Sequence, residues 1–362
     1  MGKYRVYVYA ICKNEEKFAA RWMASMQEAD GVYVLDTGSE DGTVKALRRL
    51  GAHVAEEKIT PWRFDVARNR SLALVPRDAD ICVCTDLDEV FLPGWRKHLE
   101  EAWTSATQQA RYKYVWSFAP DGSEGTVFYQ DKIHAREGFD WVNPVHEVVR
   151  WTEAGEPVRT LAEGVQLNHY PDENKSRAQY LPLLELAVEE NPQNDRNMHY
   201  LGREYMYRRE WDKCIATLRR HLALPTATWR DERCASYRYM ARAYEAKGNA
   251  YQQERCLLFA AAEAPHLREP WLDLARYGYA HQDWETVLFS CQRALKIYDR
   301  PRTYITEAAS YGPLPWDLLS LACWNLGLRK RALQAVHEAL RLAPEDERLR
   351  KNAELMEESQ QQ

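Results

Sequence analysis

The feature that most narrows the folds open to this chain is a recurrence in its second half. From Asn191-Pro192 onward the pattern Met198, Leu201, Gly202, Tyr205, Cys214, Leu218 returns in kind as Tyr237, Met240, Ala241, Tyr244, Gln253, Leu257, closing at Pro265. A third copy runs Trp271, Leu274, Ala275, Gly278, Val287, Cys291, Ala294, and a fourth Trp316, Leu319, Ser320, Cys323, Ala332, Val336, Ala339, ending at Pro344. The second and third copies are about 34 residues apart, the length of one helix-turn-helix repeat. One such unit cannot bury its own apolar face, so the copies must stack into a helical array with a concave surface. Longer steps elsewhere place insertions at residues 225–231 and 298–315, where proline, glycine and aromatics break the helices. Tyr304, Tyr311 and Trp316 fall beside the second insertion and suit either the repeat core or a ligand-facing loop. Residues 345–358 read as a charged capping helix with a frayed, glutamine-rich tail.

The first half has a different grammar. Val32-Tyr33-Val34-Leu35 and Ile81-Cys82-Val83-Cys84 are short, apolar and rich in strand formers, as buried parallel strands are, and acidic residues follow each. Open α/β sheets bind ligands at such strand ends. In Asp86-Leu87-Asp88 the acids alternate with an apolar residue, so an extended chain aims both carboxylates to one side and packs Leu87 behind them. Paired carboxylates offer hard oxygen ligands to Mg²⁺ or Mn²⁺. Plainer readings exist. Asp36 and Asp41 suit a turn and a helix cap, and Asn14-Glu15-Glu16 suits the first turn of a helix running to Ser25. His134 and His146, beside tryptophan-rich sequence, fit a structural role as well as a functional one.

Taken in order, Asn14-Glu15-Glu16, Asp36-Thr37-Gly38-Ser39-Glu40-Asp41-Gly42-Thr43, Ala67-Arg68-Asn69 and Asp86-Leu87-Asp88 resemble the nucleotide-sugar domain of family-2 glycosyltransferases. Lys132-Ile133-His134, Trp141-Val142-Asn143-Pro144-Val145-His146-Glu147, His169-Tyr170-Pro171-Asp172 and Lys175 to Leu181 resemble a branch in which that domain is fused to tetratricopeptide-like repeats. The branch includes enzymes that glycosylate bacteriocin peptides on cysteine. The resemblance implies a Rossmann-like mixed sheet of GT-A type over residues 1–180 and an all-α repeat domain over 181–362. It implies metal-dependent, inverting transfer from a UDP-sugar to a peptide or protein side chain (Cys, Ser or Thr). Asp36, Arg68 and Asp86 would bind the donor, Lys175 and Arg177 its diphosphate, and Asp88 and His169 the metal. The family's usual Glu-Asp pair is absent in that form, and Glu147 with His146 behind it is the best match for the catalytic base. The Lys175-to-Arg177 segment equally suits a solvated helix start. Alternatives are the same chemistry on a modified DNA base, a glycan or a lipid, and a non-catalytic tetratricopeptide scaffold.

Composition sets limits. A formal charge of −5 and a pI near 6.1 give no overall attraction to nucleic acid or anionic membrane. No apolar run approaches the roughly 20 residues of a membrane helix, and Met1-Gly2-Lys3-Tyr4 leads directly into a strand, so a cytoplasmic protein is expected. The eight cysteines lack CxxC pairing and read as small buried hydrophobes. Trp103, Tyr112, Tyr114, Trp116, Tyr129 and Trp141 exceed what a small strand layer needs, so some are expected to line a sugar or acceptor subsite. A homodimer through the repeats stays open.

Overall fold

The computed structural model describes residues 2–172, 179–301 and 304–358, and the chain divides into two compact units, Met1–Glu190 and Asn191–Gln362. The first contains β1 (Val6–Cys12), α1 (Glu16–Ser25), β2 (Gly31–Asp36), α2 (Thr43–Arg49), β3 (His53–Glu56), α3 (Phe64–Ala73) and β4 (Ile81–Cys84). These four strands are parallel, in the order β3-β2-β1-β4. Period-two alternation sorts their side chains. Val6, Val8, Ala10, Ile81 and Val83 join Trp22, Leu99 and Trp95 in the main core, while Tyr9, Cys82 and Cys84 face Leu72, Val75 and Trp141. Both faces are thus covered, as a parallel sheet requires.

The sheet then becomes mixed. After β5 (Glu89–Phe91) and α4 (Trp95–Ala102) come β6 (Gln109–Val115), β7 (Thr126–Ala135) and β10 (Arg159–His169), extending the order as β4-β7-β6-β10-β5. β7 runs antiparallel to β4 and β6. A separate hairpin, β8 (Phe139–Val142) and β9 (Val148–Trp151), carries the Asn143-to-Glu147 turn. Helix α5 (Tyr180–Glu190) belongs with this unit, which corrects the expected division at 180/181. Its ends are tied locally: Tyr180 stacks on Phe64 at 6.1 Å between centroids and Glu190 pairs with Arg63 at 2.6 Å.

The second unit is helical, as expected. Its pairs are α6 (Asp195–Tyr207) with α7 (Trp211–Ala223), α8 (Arg230–Ala246) with α9 (Ala250–Glu263), and α10 (Arg268–Ala280) with α11 (Trp284–Leu295). A short α12 (Ala308–Tyr311) precedes the fourth pair, α13 (Leu314–Asn325) with α14 (Arg329–Leu342), and α15 (Glu347–Glu358) follows. Each pair turns at one residue of positive φ: Arg209, Gly248, Gln282 and Gly327. From Gly248 to Gln282 the step is a bare repeat of about 34 residues; the two longer steps contain the insertions. At Gly202 the first pair packs closely, since a Cβ there would lie 2.4 Å from Leu218 Cδ2. The capping helix is less polar than its composition suggests, because Leu349, Ala353 and Met356 are buried along one stripe. No helix among the described residues is long and apolar enough to cross a membrane.

Candidate functional site

The carboxyl ends of β1, β2 and β4 lie side by side, with Cys12 level with Asp36, and here the expected motifs converge. Asp36 is buried, and both its oxygens are engaged by the following turn: Oδ1 accepts from the Gly38 and Ser39 amides at 3.0 and 2.9 Å, and Oδ2 accepts from the Ser39 hydroxyl and the Cys12 thiol. It is a post for the loop. Loops after β1 and β2 are then laced together. Asn14 N–H donates to Ser39 Oγ at 2.8 Å and Glu40 N–H returns to Asn14 Oδ1 at 2.7 Å; Glu15 N–H donates to Thr43 Oγ1 at 2.8 Å and Gly42 N–H to Glu16 Oε2 at 3.0 Å. The lacing holds Asn14 in the left-handed region at φ 55°, a conformation asparagine tolerates better than most residues. A surface depression of about 450 Å³ opens beside these loops, lined by Asn14, Glu16, Lys17, Asp41 and Asp172.

Arg68, on α3, is the buried centre of the site at 3% exposure. Its guanidinium donates to Asp86 Oδ1 at 2.5 Å and to Glu147 Oε1 at 3.0 Å, and it lies 5.4 Å from the centroid of the Trp141 ring. Burial opposes this charge, but Asp86 and Glu147 outweigh it and hold the guanidinium well above its ordinary value. The neighbouring Asn69 explains the Arg-Asn step: its amide donates to Trp141 O at 2.8 Å and accepts from Trp141 N–H at 2.9 Å, fixing α3 to the β8 hairpin. Trp141 is held from its far end too. Its indole N–H donates to Tyr9 Oη at 2.8 Å, and Tyr9 lies 2.7 Å from His134 Nε2, whose Nδ1–H donates to the Ala135 carbonyl at 2.7 Å. His134 is therefore structural, neutral and fully buried, with desolvation pushing it down to about 4.

On the other side of Asp86 stands Lys132. Pairing of β7 with β4 brings its Nζ to 3.5 Å from Asp86 Oδ2 and 3.7 Å from Glu89 Oε1. Burial works against this charge, but Glu89 and Asp86 raise it above the ordinary lysine value. Glu89 is itself buried, accepting from the Tyr114 hydroxyl at 2.9 Å and the Asp86 amide at 2.8 Å. Desolvation pushes its carboxyl above the usual range, Lys132 opposes, and Asp86 and Asp88 add to the rise. Leu87 is fully buried, but not through strand alternation: Asp86, Leu87 and Asp88 form a turn after β4, closed by the Glu89 amide donating to the Asp86 carbonyl at 3.0 Å, where an extended chain was expected.

Asp88 and His169 meet as anticipated. Their side chains are each 15% exposed, with Oδ2 and Nε2 3.4 Å apart. The β5–β10 pairing causes this by setting His169 opposite Glu89. His169 Nδ1–H donates to the Trp116 carbonyl at 3.0 Å, so neutral imidazole turns a lone pair toward the carboxylate. Two Lewis bases facing one another call for a proton or a divalent cation between them. Burial disfavours the charged imidazole, yet Asp88 outweighs it and raises the His169 pKa.

The remaining expected residues fare differently. Glu147, 11% exposed at its side chain, is the ion-pair partner of Arg68. His146 sits beside it at φ 50° with its ring 5.7 Å from that of Tyr180. Lys175 and Arg177 lie outside the described residues. Of the aromatics, Trp103, Tyr112, Tyr114 and Trp141 are core, whereas Trp116 is 45% exposed and stacks on His169 at 6.2 Å. Lys132 and Glu89 were given no role from the sequence, although Lys132 opens the Lys132-Ile133-His134 stretch. All eight cysteines are buried.

The sequence matches no described protein-family profile. Solved structures that resemble the chain include YrrB, a TPR protein with an unusual peptide-binding site (13% identity, 49% of this chain and 84% of that one, TM-score 0.41), and the MamA protein (16%, 44% and 79%, 0.36). Yeast Tom70 is similar at 14% identity over 52% of this chain and 37% of its own, with a TM-score of 0.37. These likenesses are slight. The repeat architecture rests on the four helix pairs themselves.

Proposed function

We propose that the first unit is a GT-A-type, family-2-like glycosyltransferase that moves a sugar from a UDP-sugar, with inversion, onto a side chain of a peptide or protein presented to the repeat unit. The observation that carries this reading is the set of ion pairs Arg68–Asp86, Lys132–Asp86 and Asp88–His169 gathered about the turn that follows β4. Such a set suits a diphosphate: two cations beside two carboxylates, with a carboxylate–imidazole pair whose facing oxygen and nitrogen donors fit Mn²⁺ or Mg²⁺. A divalent ion held by Asp88 and His169 would neutralise charge on the departing diphosphate. Lys132 adds a fixed positive charge on that side, while Asp36 holds the loop against which the uridine would lie. Asp86 and Glu147 keep Arg68 ionised and oriented toward the base or diphosphate.

In the reaction the acceptor nucleophile attacks the anomeric carbon from the face opposite the phosphate, the C1–O bond breaks, and UDP leaves with the bonding pair. The acceptor proton goes to a carboxylate, for which Glu147 is proposed. Its bond to Arg68 orients it, and the same bond supports a second role, as an anchor for Arg68 rather than a base. The test is UDP release in manganese from a panel of UDP-sugars, for the intact chain and for Asp88→Ala. Turnover should vanish in the variant while its circular dichroism stays unchanged. Undiminished turnover in Asp88→Ala would overturn the metal assignment.

A further inference from the structure

A second cluster of metal-binding side chains lies wholly within the repeat unit. The ligand atoms of His199 on α6, His221 on α7 and Glu232 on α8 lie within 4.8 Å of one another, and all three residues are buried. No other such three-residue group occurs among the described residues. His221 Nε2 and Glu232 Oε1 are 3.5 Å apart. Around a tetrahedral zinc with bonds of about 2.0–2.1 Å, neighbouring ligand atoms are roughly 3.3 Å apart, so this edge already has the required length.

The hydrogen bonding on the far side of both rings points the same way. Ser236 stands one turn beyond Glu232 on the same face of α8, and its hydroxyl lies 2.7 Å from His199 Nδ1 and 3.0 Å from His221 Nδ1. A serine hydroxyl has one proton but two lone pairs. It can therefore accept an Nδ1–H from both imidazoles at once, which leaves a lone pair on each Nε2, that of His221 lying beside the Glu232 carboxylate. This is how metal-binding histidines are oriented by a partner on the opposite nitrogen. Without a cation that arrangement leaves a buried acceptor unmatched, and His221 Nε2 indeed has no hydrogen-bond partner. Two arginines of α6 share this layer, Arg196 and Arg203, lying over the Tyr200 ring at 4.8 and 4.2 Å. Their charge weighs against a weakly held cation such as Mg²⁺ and favours one that bonds strongly to nitrogen.

We propose that His199, His221 and Glu232 form a zinc site that clamps the first helix pair of the repeats to the second. The ligands come from three successive helices, so binding joins α6, α7 and α8 at one point, and the donor set of two histidines and one glutamate leaves a fourth position for water. The site is separate in residues and in chemistry from the Asp88–His169 pair.

The test uses the full-length chain carrying Asp88→Ala, to remove the other proposed cation site, titrated with Zn²⁺ against a chromophoric chelator and with Co²⁺ followed by its visible absorption. One tightly bound equivalent with a tetrahedral cobalt spectrum is expected, together with a higher melting temperature in zinc. Adding Glu232→Gln, which preserves shape, should abolish that equivalent, and Ser236→Ala should weaken it by about 10–100-fold. No bound equivalent in the Asp88→Ala chain, whose repeat cluster is untouched, would overturn the proposal. Binding unchanged by Glu232→Gln would do so too.

Discussion

Glu147 has two candidate roles, and a short series of substitutions separates them by energy as well as by rate. Arg68 is 3% exposed between Glu147, 11% exposed at its side chain, and Asp86, 33% exposed. Replacing Arg68 by methionine keeps the volume but leaves Glu147 nearly dry and unpaired, and breaking a buried pair in this way costs about 3–5 kcal/mol. Glu147→Ala is milder. Arg68 loses one charge-assisted bond but keeps Asp86, so the expected cost is about 1.5–3 kcal/mol. Glu147→Gln retains an oxygen to accept from Arg68 Nε and should cost about 1 kcal/mol. Because the two units can unfold separately, the readout is native-state hydrogen exchange of peptides covering α3 and β4, which reports the first unit alone. The structural reasoning is refuted if Arg68→Met lowers protection of these segments by less than 1 kcal/mol. Activity then assigns the role: an anchor loses little transfer in Glu147→Gln, whereas a base loses about 10²–10⁴-fold.

Two further outcomes follow from the packing. Because the folded first unit holds His134 neutral down to about pH 4, against an ordinary 6.5, the unfolded chain takes up the proton first on acidification. Its stability should therefore fall as pH drops from about 6.5 to 4, by about 3 kcal/mol, and level off below; His134→Gln should remove that slope from the exchange of β4 and β7, and an unchanged slope would contradict the buried relay. In the repeats, Gly202→Ala forces a methyl against Leu218 and should cost about 1–3 kcal/mol by urea unfolding. Most of that penalty should disappear in a Leu218→Ala background, and a Gly202→Ala chain as stable as the parent would mean that α6 and α7 do not meet there.

How much was legible in the sequence depended on range. Gly202, Ala241 and Ala275 announce the helix pairs because close approach demands small residues at a fixed offset, a local property. Likewise Leu87 between two acids marks the end of β4, and Asp41 reads as a turn former because its Oδ1 accepts from the Thr43 amide two residues on, at 3.0 Å. The centre of the site was less visible. Lys132 reaches Asp86 only because β7 pairs antiparallel with β4, and Glu147 reaches Arg68 through the Asn69–Trp141 link; neither partnership leaves a mark in nearby sequence. The aromatic surplus divides: Trp116 is exposed beside His169, while Trp141 is core. Trp141 could not be told from a sugar platform because its polar edge is satisfied by Tyr9, itself held by His134, and neither partner is near it in sequence. Helix α5, too, falls on the repeat side of the 180/181 division that the resemblance implies, although the repeat pattern starts only at Asn191, and it is held to the first unit by Phe64 and Arg63. The histidine–glutamate cluster of the repeats was missed because its members sit on three different helices.

The most direct measurement on the donor site is a calorimetric titration of the intact chain with UDP, in manganese and in chelator, repeated with Asp88→Ala and with UDP-glucose, UDP-N-acetylglucosamine and UDP-galactose. A nucleotide-sugar site at the ends of β1, β2 and β4 predicts UDP binding that needs manganese and is lost in Asp88→Ala, with one sugar form binding more tightly than the others. Absence of binding to any of these nucleotides, or binding indifferent to both manganese and Asp88, would contradict it and leave the repeat unit as the working part of the protein.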